Sequence, residues 1–556
     1  MCRELEYSSI KEVRILSDIH IDLIQGLHLR NMIISGANNL ENNKSLVNSL
    51  NVFPVPDGDT GTNMSLTMNS AVKEINKSKE LEVSAIADSV ANGSLMGARG
   101  NSGVILSQIF RGFAKALKNV NEIDASALAN ALMEGSNTAY KAVMKPTEGT
   151  ILTVIRESAE YGIKIAKNTP NATDFLGKVI EKADETLNRT PDMLPILKQA
   201  GVVDAGGKGL VYILKGMHQY LISENIIQLS EAMEEEPEQA AKPVYDDIIY
   251  GYCTEFFIKG KDLDPEEFKK KITEIGDSIV VVGDENLIKV HIHTNNPGVI
   301  IEKALQLGFL SKIKIDNMRE QHEELLISEE DREENQEIKK YGVVAVAMGS
   351  GISSIFRDLG ANEIIEGGQT MNPSTEDILK SVDRIRAENI IILPNNGNII
   401  LAVNQAKSLS NKNIIVAPTK SIPQGISALM TLDQEKSPED NEKKISKAIG
   451  DVKTGLITYA VRDSNFDGVD IEEGNFLGIM EGKIGAVGEE LIEVIYKVMD
   501  AMVDEDASLI TLYYGNDIGE EAASKLEQEL MQRYPDCDVE MHYGGQPLYY
   551  YILSVE

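Results

Sequence analysis

A three-part chain is what the sequence predicts: an all-helical amino-terminal region, a short α+β region and an α/β carboxy-terminal region. Three observations predict it. The chain has 556 residues, more than one hydrophobic core can serve, because single cores stop growing near about 250–300 residues. The spacing of its apolar residues changes along the chain, first helical, then strand-like. Two acidic runs fall where that spacing changes.

Between residues 29 and 225 the helical period dominates. Apolar residues recur every three or four positions over 84–91, 104–117, 125–143, 151–166 and 173–187, and no strand alternation interrupts them. The glycine-rich stretches fall between these segments, so functional loops are expected at helix ends. The first acidic run follows, Glu231-Ala232-Met233-Glu234-Glu235-Glu236-Pro237-Glu238, and marks a linker over 226–245. Residues 246–322 then read strand, helix, strand, strand, helix, strand, the split βαβ or ferredoxin-like order. A second acidic run, within 323–340, is read as another linker. From 341 to 556, strand-like runs at 343–347, 390–393, 414–417 and 509–513 alternate with helical segments, which is an α/β pattern.

Composition narrows the function. The formal charge is −33, from 54 basic and 87 acidic residues. Nucleic-acid affinity rests on Lys and Arg neutralising phosphates, so this surface argues against a nucleic-acid partner, and likewise against an anionic membrane surface. Three cysteines, far apart, do not describe a disulfide framework. No stretch approaches the roughly 18 apolar residues of a membrane span, and the first 30 residues lack a signal-peptide core. A cytoplasmic protein is expected.

The strongest local signal is Asn51-Val52-Phe53-Pro54-Val55-Pro56-Asp57-Gly58-Asp59-Thr60-Gly61-Thr62-Asn63. Two carboxylates one residue apart, in a loop shaped by Pro and Gly, can face one hard cation such as Mg²⁺, which takes oxygen ligands and shares them with phosphates. The residues after Asp59 open a helix, whose N-terminus favours anions. A bare Asp-Gly-Asp would be an ordinary turn before a helix cap; the flanking prolines and Thr-Gly-Thr-Asn favour the cation. A second loop, Gly97-Ala98-Arg99-Gly100-Asn101-Ser102-Gly103, also runs into a helix, and taken alone is equally a connecting turn. Loops at 145–150, ending in Thr150, and at 201–209, containing Asp204 and Gly206, complete a set of four helix starts able to form one phosphate-binding rim. No G-x-x-x-x-G-K-[ST] occurs, which excludes a P-loop kinase.

These segments resemble the nucleotide-binding subunit family of the dihydroxyacetone kinases. From about Ile34 onward the whole chain resembles the catalytic (A-type) subunits of bacterial fatty acid kinases. The resemblance implies an eight-helix barrel that binds ATP through two Mg²⁺ ions, with Asp57 and Asp59 as metal ligands. The family's third metal ligand is an Asp slightly earlier; its nearest match here is Asn51, with one extra residue between. By the same resemblance Thr60, Gly61, Thr62, Asn63, Gly100, Asn101, Ser102, Gly103, Thr150, Asp204 and Gly206 would hold the nucleotide, and Arg189 would sit near the γ-phosphate. The dihydroxyacetone kinases carry Thr-x-x-Asp in the third loop, whereas this chain has Thr150-Ile151-Leu152-Thr153. That departure points to a fatty acid rather than a sugar. The implied reaction is phosphorylation of a fatty acid carboxylate, presented by a separate fatty-acid-binding carrier protein, to an acyl phosphate for phospholipid synthesis. Such a carboxylate is ionised at pH 7 and requires no general base. A homodimer is compatible with the resemblance. A sugar kinase component, or a nucleotide-sensing scaffold that binds lipid itself, are the competing readings.

In the middle region, alternation puts Ile288, Val290 and Ile292 on the helix-covered face of one strand and Lys289, His291 and His293 on the other. Cys253 and Glu255, on the adjacent first strand, are expected to share that open face. Cys253, His291 and His293 form a zinc-type ligand set, with water or Glu255 as the fourth partner; the plainer reading makes them polar open-face residues beside a small buried thiol. The family resemblance implies a metal here. Residues 341–556 resemble the DegV fold of fatty-acid-binding carriers, in segments 348–352, 368–374 and 419–425, with a carrier-docking role implied.

Overall fold

The computed structural model describes residues 21–51, 55, 58–143, 145–229, 250–261, 263–273, 275–283, 285, 287–317, 338–368, 371–466 and 468–556. The acidic runs at 231–238 and 323–337, and Asp57, lie outside the described residues. The chain forms two compact units: the helical region together with the carboxy-terminal region, and the middle region by itself. No helix among the described residues is long and apolar enough to cross a membrane.

The helical region is built on eight long helices: Gly26–Asn42, Thr60–Lys77, Val83–Met96, Gly100–Ala116, Ala125–Ala142, Ile151–Ile165, Ala172–Asn188 and Ala205–Ser223. Each buries one apolar stripe in a shared core that includes Met32, Met64, Leu106, Leu128, Val154, Phe175 and Leu210. Short polar side chains start several of these helices by accepting an N–H of the first turn. Asp124 takes Ala127 N at 2.7 Å, Asn171 takes Asp174 N at 2.9 Å and Asp204 takes Gly207 N at 2.6 Å. The first and last long helices pack unusually close, because a Cβ at Gly216 would lie 2.5 Å from the Ser35 carbonyl. Residues 21–25, ahead of the expected boundary at 29, belong here too: Ile24 and Ile123 exchange two backbone hydrogen bonds of 2.9 Å.

The middle unit is a four-stranded antiparallel sheet, β1 (Tyr252–Lys259), β2 (Gly276–Gly283), β3 (Leu287–Thr294) and β4 (Phe309–Asn317), in the order β2-β3-β1-β4. Helices Pro265–Ile272 and Pro297–Leu305 connect β1 to β2 and β3 to β4. Phe256, Ile258, Ile288, Val290 and Ile292 are buried, with Phe268 and Ile300 from the helices in the same core.

The carboxy-terminal region contains two sheets. The first is parallel, β6-β5-β7-β8, from β5 (Lys339–Ala347), β6 (Glu363–Glu366), β7 (Ala387–Leu393) and β8 (Asn413–Val416). Residues 341–347 of β5 and 389–393 of β7 are continuously buried, as strands covered on both faces must be. The second sheet is mixed, in the order β13-β12-β9-β16-β14-β15, with β9 (Lys453–Tyr459), β12 (Phe476–Met480), β13 (Lys483–Gly488), β14 (Leu509–Tyr514), β15 (Asp538–Tyr543) and β16 (Tyr551–Val555). A small hairpin, β10 (Ser464–Phe466) and β11 (Val469–Ile471), follows β9.

This α/β region meets the helical region through apolar loop residues. Ala98 and Val104 are buried among Val344, Val346, Ile378 and Ile392 beside the parallel sheet. Val55 is buried with Phe466, Ile471 and Leu477. Burial of this kind ties the loops of one region to the core of the other.

Candidate functional site

All four glycine-rich loops end at helix starts, at Thr60, Gly100, Ile151 and Ala205. The contacts gather them as two pairs. In the first pair, Arg99 N donates to Thr67 Oγ1 at 3.3 Å, joining the Gly97–Gly103 loop to the helix that follows Asp59. Gly100 has φ +56°, a left-handed conformation that favours glycine. A Cβ there would also meet Asn63 Nδ2 at 2.6 Å and Asn372 Nδ2 at 3.2 Å. Glycine is required at this point on both counts.

The helix start after Asp59 is already partly satisfied. Asn48 Oδ1 accepts from Gly61 N at 2.7 Å and Thr62 N at 3.2 Å, while Asn48 Nδ2 donates to Thr62 Oγ1 at 3.0 Å. Two of the N–H groups on the expected phosphate rim thus face a side chain of this chain. What does lack a partner among the described residues is a set of amide oxygens: Oδ1 of Asn63, of Asn101 and of Asn372 are buried and unpaired. Buried acceptors without a donor are costly, and each calls for an explanation.

Three residues distant in sequence reach this pair of loops. Asn372 donates through Nδ2 to Asp59 Oδ2. Asn101 Nδ2 donates to Asn398 Oδ1 at 3.1 Å. Arg462, on the loop after β9, donates to the carbonyl of Asn51 at 2.5 Å; burial without full hydration lowers its pKa. Asn398 also lines a cavity of about 160 Å³ at the carboxyl ends of the parallel strands, together with Gly367, Gly368, Asn395 and Ser421. That is where open α/β sheets place ligands. None of these contributors was identifiable from local motifs; the only trace is that Asn372 precedes the Ser374/Asp377 capping box that starts helix Thr375–Arg384.

The second pair joins the loops ending at Thr150 and Asp204. Asp204 N donates to Thr190 Oγ1 at 3.1 Å, and a Cβ on Gly206 would lie 3.4 Å from Ile151. Thr150 caps its own helix through Leu152 N and donates to Thr147 O at 2.8 Å. Thr153, in the position where the sugar kinases carry Asp, is buried and donates to Glu148 at 2.6 Å. Arg189 Nη2 is held by Glu157 at 2.7 Å, and Thr186 donates to the same carboxylate oxygen at 3.1 Å. Arg189 Nε is buried without a partner among the described residues. Ser102 and Gly103 sit on the first turn of helix Gly100–Ala116.

Although part of its residue surface is exposed, the Asp204 carboxyl group is enclosed. Desolvation pushes its pKa up to about 6, against the lowering effect of the Gly207 and Ile151 N–H groups. Folded protein therefore binds this proton more tightly than the unfolded chain, whose Asp titrates near 3.9. By linkage, stability falls as pH rises through the window from about 4 to about 6. Asp204→Asn keeps a capping oxygen and removes the titration. Thermal melts across pH 4–7 should show the wild type losing stability relative to the variant over that window, by about 2–3 kcal/mol at most; parallel curves would show that Asp204 is not shifted.

In the middle unit, Cys253 lies opposite His293 on β3, and Glu255 opposite His291. Cys253 Sγ is 4.0 Å from His291 Nδ1, and the two imidazole centroids are 5.1 Å apart. One ligand atom from each of Cys253, His291 and His293 lies within 4.8 Å of the others, all three side chains being half-buried. Pleat alternation alone produces this convergence.

Family models match the chain in three consecutive stretches: the DAK2 domain over 54–219, the FakA-like (fatty acid kinase) middle domain over 249–325, and the FakA-like C-terminal domain over 342–556. Protein YloV of Bacillus subtilis is 43% identical over 551 residues, covering 96% of this chain and 100% of YloV. An uncharacterized protein of Staphylococcus aureus is 43% identical over 547 residues, with 96% and 100% coverage. Among solved structures, the dihydroxyacetone kinase of C. freundii in complex with AMP-PNP and Mg²⁺ matches at 18% identity and TM-score 0.28, over 39% of this chain and 38% of that one. A DegV family protein from Corynebacterium glutamicum matches at 11% identity and TM-score 0.32, over 39% and 98%.

Proposed function

Because the chain belongs to the FakA-like fatty acid kinase family, we propose that it transfers the γ-phosphoryl group of ATP to a fatty acid carboxylate presented by a separate fatty-acid-binding protein, in the cytoplasm. The observation that carries this reading is the Asp59 loop, where a carboxylate stands beside the buried, unpaired oxygens of Asn63 and Asn372 at a helix start. An all-oxygen set of this kind suits a hard divalent cation. Asp59, with Asp57 and Asn51, would hold Mg²⁺. When bound, Mg²⁺ supplies charge neutralisation across the nucleotide phosphates.

The chain's own residues would then do the following. Asn101, Ser102 and Gly103 lie on a helix first turn, whose dipole favours the phosphate anion. Arg189, aimed by Glu157, balances charge at the γ-phosphate. One acceptor carboxylate oxygen forms a bond to the γ-phosphorus as the bond from that phosphorus to the bridging oxygen breaks, giving acyl phosphate and ADP. No proton has to be removed from the nucleophile. Catalysis here is alignment and electrostatics. Cys253, His291 and His293 would hold a structural Zn²⁺.

The test is to incubate the chain with ATP, Mg²⁺ and a fatty-acid-loaded carrier protein, and trap acyl phosphate with hydroxylamine. Hydroxamate formation that requires the loaded carrier is the expected result. Phosphorylation of dihydroxyacetone in its place would reassign the acceptor to a sugar.

A further inference from the structure

The Asp59 loop is completed from the far end of the chain. Asn372 is fully buried and donates to Asp59 across 313 residues of sequence. Its segment is pinned to the neighbouring loop at several points. The Asn372 carbonyl accepts from Arg99 Nη1 at 2.7 Å. Arg99 and Ser374 form an antiparallel bridge. Thr375 N donates to Ala98 O at 3.2 Å, and Arg99 Nη2 lies 3.4 Å from Asp377. A backbone held this way delivers the Asn372 side chain to one place.

That side chain does two things at once. Nδ2 engages one oxygen of Asp59, and Oδ1 is buried with no donor among the described residues. Asn63 Oδ1 has the same status, and both amides flank Gly100. If the contact with Asn372 only locked two regions together, its second polar atom would gain nothing from being buried unpaired. Beside a carboxylate, unpaired oxygens make sense as part of a cation's surroundings. Ligating carboxylates are commonly held by a hydrogen bond from outside the ligand set, and losing that bond typically costs about 10–100-fold in metal affinity.

Resting on the reading of the Asp59 loop as a nucleotide–metal site, we infer that Asn372 is a positioning residue of that site. It fixes the orientation of the Asp59 carboxylate and adds an oxygen to the same acceptor set, so the site is assembled from the helical and α/β regions together. Divalent-cation affinity of the helical region then depends on a residue of the carboxy-terminal region.

Full-length protein is titrated with ADP at a series of Mg²⁺ concentrations, binding being read by calorimetry, with melting curves recorded without nucleotide. Asn372→Ala should raise the Mg²⁺ concentration for half-maximal ADP binding by about 10–100-fold, with a cooperative melt retained. An unchanged Mg²⁺ requirement in a folded variant would overturn the assignment. If Asn372→Ala did not fold, Asn372→Ser, which keeps a polar group but falls an atom short of Asp59, carries the same expectation. Asp59→Ala is the reference. Should it also leave Mg²⁺-dependent binding unchanged, the reading of the loop itself fails; should only the Asn372 variants do so, the shared site fails alone.

Discussion

Asp59→Ala should lower ATP-dependent phosphoryl transfer by on the order of a thousandfold, the scale of losing a group that stabilises transition-state charge, while the protein stays folded. Removing the carboxylate takes an anionic oxygen from the proposed metal site and leaves the nucleotide phosphates less well neutralised. The structural cost is smaller. Asp59 is half-buried, so no apolar cavity opens, and what is lost is the bond from Asn372. An amide donor left without its partner costs about 1–3 kcal/mol, which lowers the melting temperature by a few degrees in a chain of this size. Acyl-phosphate trapping and thermal melts on one preparation separate the two effects. Turnover within about tenfold of wild type would remove Asp59 from the site. The same activity loss is expected for Asp57→Ala, on the sequence motif alone.

The helices were legible because amphipathic periodicity is local. Segments read as helical at 104–117, 125–143 and 151–166 correspond to Gly100–Ala116, Ala125–Ala142 and Ile151–Ile165. In the middle unit, period-two alternation placed Ile288, Val290 and Ile292 inside, and they are fully buried. His291 and His293 fall on the other face beside Cys253. Residues 21–25 were missed because their anchoring is remote: a single bridge to Ile123 and a bond from Ile21 N to Thr173 Oγ1. Neither leaves a periodic trace.

The candidate site was half legible. Glycines and helix caps mark a loop from neighbouring residues, so the four helix starts could be found. Whatever tertiary packing brings to those loops could not. Asn372, Asn398 and Arg462 come from the region beyond residue 341, and nothing in their own surroundings marks them. Ala98 and Val104 read as ordinary loop and helix residues, yet they are buried against the parallel sheet. For the same reason the sequence reads the first and third regions as separate domains, whereas they form one compact unit. The use of Gly61 N and Thr62 N by Asn48 was equally hidden, since Asn48 lies on a preceding helix, Lys44–Asn48.

The purified chain should carry about one zinc per molecule, and Cys253→Ala should carry none. Thiolate and imidazole nitrogens form a borderline-soft set that zinc prefers and magnesium does not. With Zn–S near 2.3 Å and Zn–N near 2.0–2.1 Å, a tetrahedral ion sets sulfur and nitrogen about 3.5 Å apart. Cys253 Sγ and His291 Nδ1 stand at 4.0 Å, so rotamer adjustments of well under about 1 Å close the site. Classical zinc fingers are unfolded without metal, but this sheet already buries Phe256, Phe268, Ile288 and Val290 in a core of its own. The metal-free variant should therefore fold. Acidification competes for the ligands: thiolate and neutral imidazole both take up protons as pH falls, so the wild type should release its metal as pH drops below about 6.5. Elemental analysis of wild type and Cys253→Ala, before and after dialysis at pH 5, gives the answer. Stoichiometric zinc persisting in the variant would place the metal elsewhere in the chain.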